Sequence, residues 1–450
     1  MIFDRQRLLA AGLGLIALAL APIASAVPQI QTWETPNGAR VLFVPAPDLP
    51  MVDLRVVFDA GSARDAGRDG LASLTADMLD QGAGAWDADT LAERLESVGA
   101  RLSTGALRDM AFVTVRSLTK APALDTALET MAAVLAEPRF AAEDFERLRQ
   151  NALVALRQEE QNPASVGQRA FYRRIFGDHP YATHPSGTLE SVAALTRDDL
   201  AAFHREHYVG RNAVVAMVGA LSREQAEAIA ERVSAGLPPG AAAPRVPPVA
   251  DLSGAAVELL DFPSTQTHIY AGQPGMSRDD ADYFALYVGN HILGGSGLVS
   301  LLMEEVREKR GLSYSVYSYF LPMSQRGPFL MGLSTKNEQA EAARTVLMDT
   351  VRRFREEGPT EAELTAAIKN VTGGFPLRIA SNARIVEYLA MMGFYRLPLD
   401  YLDTFTDKVA AVTAEDIRDA FKRRVDPERF ATVIVGPRTS QVASAGASGG

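Results

Sequence analysis

Ala193–Gly219 reads AALTRDDLAAFHREHYVGRNAVVAMVG, and a related stretch returns as AAVTAEDIRDAFKRRVDPERFATVIVG at Ala410–Gly436. In each copy a threonine (Thr196, Thr413) stands at the expected N-cap of a helix, with an acid three residues later. Each helix is followed by an apolar strand that stops at a glycine. The threonines are 217 residues apart, as are the final glycines. This constant offset predicts two copies of one α/β unit.

Residues 235–250 read AGLPPGAAAPRVPPVA, a density of proline and glycine that interrupts both helix and sheet. We therefore predict an interdomain linker there, with domains at 27–234 and 251–437 and a disordered tail at 438–450. Within each domain, strand-like runs at the beginning, middle and end alternate with long helices. This order favours an α+β class with largely antiparallel sheets.

The N-terminal 26 residues resemble a secretory signal peptide, with a basic start, an apolar run and the small-residue site Ala24-Ser25-Ala26. This pattern predicts a periplasmic protein without stable membrane insertion. Cysteine is absent from the sequence, which excludes disulfides, thiolate metal sites and lipid attachment through cysteine. The net charge of −10 gives no electrostatic basis for binding nucleic acid.

The segment Gly70–Gly84 reads GLASLTADMLDQGAG and is typical of an amphipathic helix that ends in glycines. Its positions 73, 76 and 77 share one helical face. A zinc peptidase uses such positions for two histidine ligands and a glutamate base. Here they are Ser73, Ala76 and Asp77, which do not form a zinc site. Taken alone, the segment indicates an ordinary amphipathic helix.

Other candidate ligands are the histidines of His204-Arg205-Glu206-His207, which are spaced i, i+3. Such a pair can share a metal ion. No third ligand is evident nearby, and the pattern favours a charged, solvated helix face. The histidines of the loop His179–Pro185 are expected to be structural or exposed.

A glycine-rich segment, Gly294–Gly297, precedes LVSLLMEEVREKRGLSYSVYSYF. Such a segment is either an anion-binding loop or a flexible turn, and it lacks the lysine of a phosphate-binding loop. Downstream, Arg307 ends a helical run and Tyr314 opens a strand. Taken without context, Arg307 and its basic neighbours indicate a solvated face.

Together these segments resemble the pitrilysin/insulinase family of zinc metallopeptidases, the inverzincins with an H-x-x-E-H motif. The similarity is carried by LGGSG, VREKRGLSYSV and LPLDYLDTFTDKVAAVTAEDI in the second half, and by EEQNPASV and HYVGRNAVVAMVG in the first. It extends from about Gln31 to Pro437. The resemblance implies two related α+β halves that close like a clamshell around an unfolded peptide.

The resemblance places the zinc motif at Ser73, Ala76 and Asp77, so that both histidines and the glutamate base are replaced. The third family ligand is a glutamate upstream of EEQNP. Around Val154–Ala155 this chain has no acid, and the acids at 159 and 160 lie too far along the helix to match. The resemblance therefore implies no metal or other cofactor in this chain.

The remaining half of the family's site is retained. Arg307 and Tyr314 match an arginine and a tyrosine, seven residues apart, that contact the substrate backbone near the scissile bond. A guanidinium offers forked donors to carbonyl oxygens, and a phenol can donate to a developing oxyanion. Gly294, Gly295 and Gly297 match a glycine-rich segment that touches the peptide in some members.

The resemblance thus implies a non-catalytic subunit of a periplasmic heterodimeric zinc peptidase, with zinc in the partner subunit and peptides as substrates. One alternative is a structural or peptide-binding scaffold, as in the core subunits of the respiratory cytochrome bc complex. Another is an independent enzyme with a displaced metal site at His204 and His207.

Overall fold

The computed structural model describes residues 29–438; the predicted signal peptide and the tail from residue 439 onward lie outside this range. The strands of the first half are β1 Gln31–Glu34, β2 Arg40–Pro45, β3 Met51–Phe58, β4 Arg101–Ala106, β5 Ala111–Leu118 and β6 Ala213–Gly219. Its α-helices are α1 Leu71–Met78, α2 Ala88–Glu96, α3 Ala123–Ala136, α4 Ala142–Glu160, α5 Pro163–Phe176, α6 Leu189–Ala194, α7 Arg197–His207 and α8 Arg223–Ser234.

The second half repeats this plan. Its strands are β7 Ala256–Asp261, β8 Gln266–Pro274, β9 Ser313–Phe320, β10 Pro328–Lys336 and β11 Ala431–Gly436. Its α-helices are α9 Tyr283–Asn290, α10 Ala340–Glu357, α11 Glu361–Arg378, α12 Asn382–Phe394, α13 Tyr401–Ala410 and α14 Ala414–Arg424. Two π-helical turns are found at His291–Gly295 and Met303–Glu308. Short 3₁₀ turns occupy Ser62–Arg64, Pro180–Ala182, Gly210–Asn212, Gly297–Val299, Asn337–Gln339 and Pro427–Arg429.

The two sheets share one topology apart from the additional edge strand β1 of the first. In the described residues the first sheet has the order β1-β2-β6-β3-β5-β4, and the second has the order β7-β11-β8-β10-β9. In the first sheet β2 and β6 are parallel, in the second β7 and β11 are parallel, and the other pairings are antiparallel. Five strands of the first sheet therefore recur in the same order and direction in the second. The α+β class and the two-halves arrangement predicted from the sequence are confirmed.

The repeated stretch that reveals the duplication forms the expected local structure twice. Thr196 caps α7 by accepting from the backbone N–H of Asp199, whose side chain returns the bond. Thr413 and Asp416 form the same capping box at α14. In both copies the reciprocal bonds satisfy donors that a helix N-terminus leaves free. Each helix is followed by a 3₁₀ turn and a buried strand, β6 or β11.

One helix of each half packs on the sheet of the other half. Helix α5 lies against β8 and β11, while α12 lies against β2, β3 and β6. A glycine marks the closest approach on each side. A Cβ atom at Gly167 would stand 2.5 Å from Tyr270 Cε2, and one at Gly393 would stand 2.4 Å from Val214 Cγ1. The halves therefore share buried apolar surface, with residues of both sheets in one core cluster.

A buried carboxylate also connects the halves. Asp109 lies in the turn between β4 and β5 and is 3 % exposed. It accepts hydrogen bonds from the Tyr181 hydroxyl (2.5 Å), the Tyr395 hydroxyl (3.0 Å) and the Ser324 backbone N–H (2.7 Å). Tyr395 and Ser324 belong to the second half, so Asp109 fixes the relative position of the two halves.

The linker predicted at 235–250 contains no helix or strand, and the irregular backbone continues to Ala255. It is bound on both sides. His179 of the first half contacts the Pro247 carbonyl at 2.8 Å, and Arg326 of the second donates to the Val249 carbonyl at 2.6 Å. Val249 itself is buried. Of the helices between residues 29 and 438, none is long and apolar enough to cross a membrane.

Candidate functional site

Helix α1 occupies the position predicted for the zinc motif. At its N-terminus, the carboxylate of Asp65 accepts from the backbone N–H groups of Gly70 (2.9 Å) and Ala72 (2.8 Å) and so satisfies two free donors. Leu71, Leu74 and other apolar residues of the helix are buried in the apolar core of the first half. The local fold of the helix is thus complete without any metal ligand.

The residues at the three motif positions do not fit a zinc ion. Ser73 donates its hydroxyl to the Pro185 carbonyl at 2.8 Å, and Ala76 is fully buried. Asp77 is exposed, and partial desolvation together with the charge of Asp80 raises its pKa to about 6. One carboxylate, a hydroxyl and a methyl group supply fewer than the three histidine, cysteine or carboxylate ligands of a catalytic zinc site.

The helix expected to supply the third ligand is α4, and it brings no acid to the site. Val154 is 49 % exposed on its surface. Further along, Glu159 is ion-paired with Arg169 of α5. Between residues 29 and 438, no group of three or more histidine, cysteine, aspartate or glutamate side chains is placed to hold a metal ion.

The histidine pair of α7 is buried, and the expectation of a solvated face is wrong at these two positions. His204 and His207 are each 8 % exposed. His204 Nε2 lies 2.9 Å from the Leu135 carbonyl, and its ring stacks on Tyr208 with 4.8 Å between centroids. Burial lowers the pKa of His204 to about 4, so the ring is neutral and Nε2 is the donor. These contacts give the pair a packing role.

Arg307 and Tyr314 lie in direct contact in the second half. The guanidinium carbon of Arg307 stands 4.7 Å from the centroid of the Tyr314 ring, a cation–π distance. Arg307 also approaches Glu308 at 3.5 Å and remains 30 % exposed, while Tyr314 is 80 % exposed. The structure therefore places a guanidinium and a phenol side by side on the protein surface.

A π-helical turn positions Arg307. In Met303–Glu308 the N–H of Lys309 donates to the carbonyl of Glu304, five residues earlier, at 2.9 Å. Turns of this kind are rare and are found frequently at functional sites. The turn sets the arginine against β9, the edge strand of the second sheet, whose second residue is Tyr314.

Glu305 fixes this turn, and the sequence did not reveal that role. Its carboxylate is 8 % exposed and accepts from Lys309 Nζ (2.9 Å), Arg310 Nη1 (2.6 Å) and Arg353 Nη2 (3.1 Å). These bonds, with the one from Lys309 first, lower the pKa of Glu305 to about 2. Lys309 and Arg310 are therefore held in an ion-pair cluster, which the interpretation as a plain solvated face did not include.

The glycine-rich segment is partly explained by packing. A Cβ atom at Gly294 would stand 2.4 Å from the Ser318 hydroxyl on β9, so this position admits only glycine. Gly295 and Gly297 are exposed, and Gly297 has φ +64° with open space around it. The next residues, Leu298 and Val299, are also exposed. The predicted contact of these three glycines with a peptide remains a prediction.

The predicted site residues therefore fall into two groups. Ser73, Ala76 and Asp77 belong to the first half, on a helix that packs into the first core. Arg307, Tyr314 and the glycine-rich segment belong to the second half and surround β9. The first group lacks the residue types of a hydrolytic zinc site, whereas the second contains a guanidinium and a phenol, both of which are hydrogen-bond donors.

This division defines the class of protein: a two-domain peptidase fold with an inactive zinc motif. The chain belongs to the insulinase family, peptidase family M16. Residues 40–188 match the family model described as insulinase (peptidase family M16), and residues 194–371 match the one described as the peptidase M16 inactive domain. The family predicted from the sequence is confirmed, and the chain is an inactive-type member of it.

The relatives support membership of this family. The crystal structure of a peptidase M16 inactive domain from Pseudomonas fluorescens is 40 % identical, covers 91 % of this chain and 98 % of that chain, and superposes with a TM-score of 0.88. An uncharacterized zinc protease of Streptomyces coelicolor is 26 % identical over 92 % of this chain and 91 % of its own length. The non-peptidase homolog YmxG of Helicobacter pylori is 27 % identical over 86 % of this chain and 89 % of its own length.

Proposed function

We propose that this chain is the non-catalytic subunit of a periplasmic heterodimeric zinc metallopeptidase. In this role it binds unfolded peptide, and Arg307 and Tyr314 complete the active site of a homologous partner that carries H-x-x-E-H and zinc. The observation that carries the proposal is the preserved, exposed Arg307–Tyr314 contact in a chain whose zinc helix has lost its ligands.

The geometry supports substrate contact by this pair. The guanidinium can donate two parallel hydrogen bonds to peptide carbonyls, and the phenol can donate to an oxyanion that forms at the scissile carbonyl. The Glu305 cluster holds Arg310, three residues after Arg307, and so fixes the backbone of the turn that carries Arg307. A purely structural cation–π pair would not need both side chains to reach solvent.

The test begins with the partner. Affinity-tagged full-length chain is purified from a periplasmic extract, and the protein bound to it is identified by mass spectrometry. We expect a chain with H-x-x-E-H, and peptidase activity in the complex but not in this chain alone. Arg307→Ala and Tyr314→Phe should each lower kcat of the complex by about 10²-fold, the order measured for loss of one oxyanion donor.

Matched controls separate chemistry from folding. Arg94 of α2 also stacks on an aromatic ring, Trp86, at 3.8 Å. Arg94→Ala removes an equivalent contact far from β9 and should leave kcat unchanged, as should Tyr317→Phe on the same strand as Tyr314. Unchanged activity in Arg307→Ala and Tyr314→Phe complexes would refute the shared site.

The periplasmic location rests on the residue pattern of the first 26 positions. We expect the mature chain to start at Val27, after removal of the signal peptide at Ala26. N-terminal sequencing of protein from fractionated cells tests this. An intact N-terminus at Met1 in the cytoplasmic fraction would overturn the assignment.

The second candidate function is a peptide-binding or structural scaffold without a proteolytic role. The description of the Helicobacter pylori relative as a non-peptidase homolog favours it. The same purification separates the two candidates. Recovery of the chain with partners that lack H-x-x-E-H, and without peptidase activity, would support the scaffold.

A further inference from the structure

A cavity of about 820 Å³ opens in the second half, and Gly295 of the glycine-rich segment forms part of its wall. It lies between α9, the end of β9, the end of α11, and helices α12 and α13. Its volume is within the range of small-ligand sites, about 300–1,000 Å³. Tyr314 is at the start of β9, whereas the cavity begins at Ser318. At about 3.3 Å per residue the two are separated by roughly 13 Å along the strand.

The walls of the cavity are aromatic. Seven of its lining residues are tyrosine or phenylalanine. Tyr283 and Tyr287 of α9 stack in parallel, with 6.1 Å between centroids, and Phe405 packs against Tyr287 from α13. Leu377 at the rim is 78 % exposed. Such walls bind planar or large aliphatic groups.

The polar groups of the cavity are predominantly cationic. Arg278 donates to the Tyr283 hydroxyl at 3.2 Å, and Arg378 donates to the Tyr287 hydroxyl at 2.6 Å. Arg384, in contrast, is paired with Glu387 at 3.2 Å. Within residues 29–438 no carboxylate oxygen lies within 4.0 Å of the guanidinium groups of Arg278 or Arg378. The Nε atom of Arg278 is buried and has no hydrogen-bond partner.

Arg278 and Arg378 are positively charged, lack carboxylate partners and are hydrogen-bonded to neighbouring tyrosines of an aromatic cavity. These properties fit an anionic ligand with an apolar part. A guanidinium without a carboxylate partner can form charge-assisted hydrogen bonds with an anion that enters the cavity. Each arginine donates to the hydroxyl of one of the two stacked tyrosines, so cationic and aromatic groups are neighbours in the cavity wall. This combination suits a carboxylate joined to an apolar body.

We propose that this cavity binds a carboxylate attached to an aromatic or large aliphatic group, as at the C-terminus of a peptide that ends in an apolar residue. The proposal rests on the proposed function only for peptide as the source of the carboxylate. A free aromatic acid has the same chemistry. The site is independent of zinc and of the partner subunit, because its lining belongs to this chain.

The experiment measures binding to the isolated full-length chain by fluorescence anisotropy and calorimetry. The probes are a labelled pentapeptide that ends in phenylalanine with a free carboxylate, its C-terminal amide, and N-acetylphenylalanine. We expect the acid to bind at least about tenfold more tightly than the amide, because the amide loses the charge-assisted hydrogen bonds. Affinity should fall with added salt.

Variants locate the site. Arg378→Gln, at an exposed position, should weaken binding of the acid about tenfold and have little effect on the amide. Arg278→Gln should act in the same direction. Arg384→Gln is the matched control, because its charge is already paired with Glu387, and it should change affinity less than about twofold. Circular dichroism and thermal unfolding confirm that each variant is folded.

The outcomes are decisive in both directions. Equal binding of acid and amide, unchanged affinity in Arg378→Gln, or no binding of any probe at millimolar concentration would overturn the proposal. Preference for the peptide over N-acetylphenylalanine supports a peptide end as the occupant, and equal affinity supports a free acid in the same pocket. Because neither assay involves proteolysis, failure here leaves the shared-site proposal intact, and the converse also holds.

Discussion

Glu305 is a buried carboxylate that binds three cations, and its protonation should weaken the ion-pair cluster at the π-helical turn Met303–Glu308. The pKa of Glu305 is lowered to about 2, against about 4.3 in an unfolded chain. Its contribution to stability is therefore present above pH 4.3 and is lost as pH falls towards 2. We expect Glu305→Gln to lower the free energy of unfolding at pH 7 by on the order of 2 kcal/mol.

Urea unfolding between pH 3 and pH 7 measures this effect. The difference between wild type and Glu305→Gln should shrink as the pH approaches 3. Glu304→Gln is the control, because Glu304 binds the same Lys309 at 2.9 Å but is 51 % exposed. It should cost less than about 1 kcal/mol. If the difference in the free energy of unfolding between wild type and Glu305→Gln were constant across this pH range, the charge of Glu305 would not contribute to stability.

Asp77 has the opposite dependence on pH. Its pKa is raised to about 6 by desolvation and by Asp80, so the folded chain binds the proton more tightly than the unfolded chain does. Stability from this group is present below about pH 3.9 and is lost as pH rises through 6. Asp77→Asn should therefore stabilise the protein above pH 6, by at most about 1 kcal/mol after solvent screening. Identical pH profiles for the two proteins would contradict this.

At the scale of helices, α5 and α12 are exchanged between the halves: each packs on the sheet of the other half. The close packing depends on two glycines, Gly167 and Gly393. Gly393→Ala should destabilise the protein by about 1–3 kcal/mol, because the new methyl group would overlap Val214 of the first sheet. Gly373 of α11 is the matched control, since a Cβ atom there meets nothing within 4 Å. Gly373→Ala should stabilise by roughly 0.5–1 kcal/mol. Thermal or urea unfolding measures the change in the free energy of unfolding for each variant. Equal changes would mean that α12 can move away from Val214 without loss of stability.

The elements that the sequence predicted are those encoded by local patterns. The threonine caps of α7 and α14, the strands that follow them and the irregular segment from Pro238 to Ala255 depend on neighbouring residues, so they could be predicted. The exchange of α5 and α12 could not. An amphipathic pattern shows that a helix buries one face, but it does not show which sheet receives that face.

The candidate site also has features that the sequence predicts and features that only the structure reveals. The residue types at positions 73, 76 and 77 and the seven-residue spacing of Arg307 and Tyr314 are visible in the sequence. Their contact, the π-helical turn and the role of Glu305 were not, because Arg353, which completes the cluster, lies 48 residues further along the chain. His204 and His207 were misjudged because charged neighbours conceal a buried pair on the same helix.

At the scale of the whole molecule, the two halves are similar in topology but should not fold separately. Residues of the first sheet, such as Leu42 and Val218, are buried in the same core cluster as Leu389 of α12. Helix α5 covers the second sheet in return, and Phe171 is fully buried there. Without the other half, each sheet would expose an apolar face larger than a soluble protein tolerates.

The chain can be divided between Gly254 and Ala255, where both residues are exposed. We expect fragments 29–254 and 255–438 to aggregate or remain molten when each is expressed alone. Co-expressed, they should form a soluble 1:1 complex that unfolds in a single transition, because α5 and α12 can still cross between them. Size-exclusion chromatography and near-ultraviolet circular dichroism test this, with the uncut chain as reference. Cooperative unfolding of either fragment alone would contradict this expectation. It would show that each half folds as an independent domain without the helix from the other half.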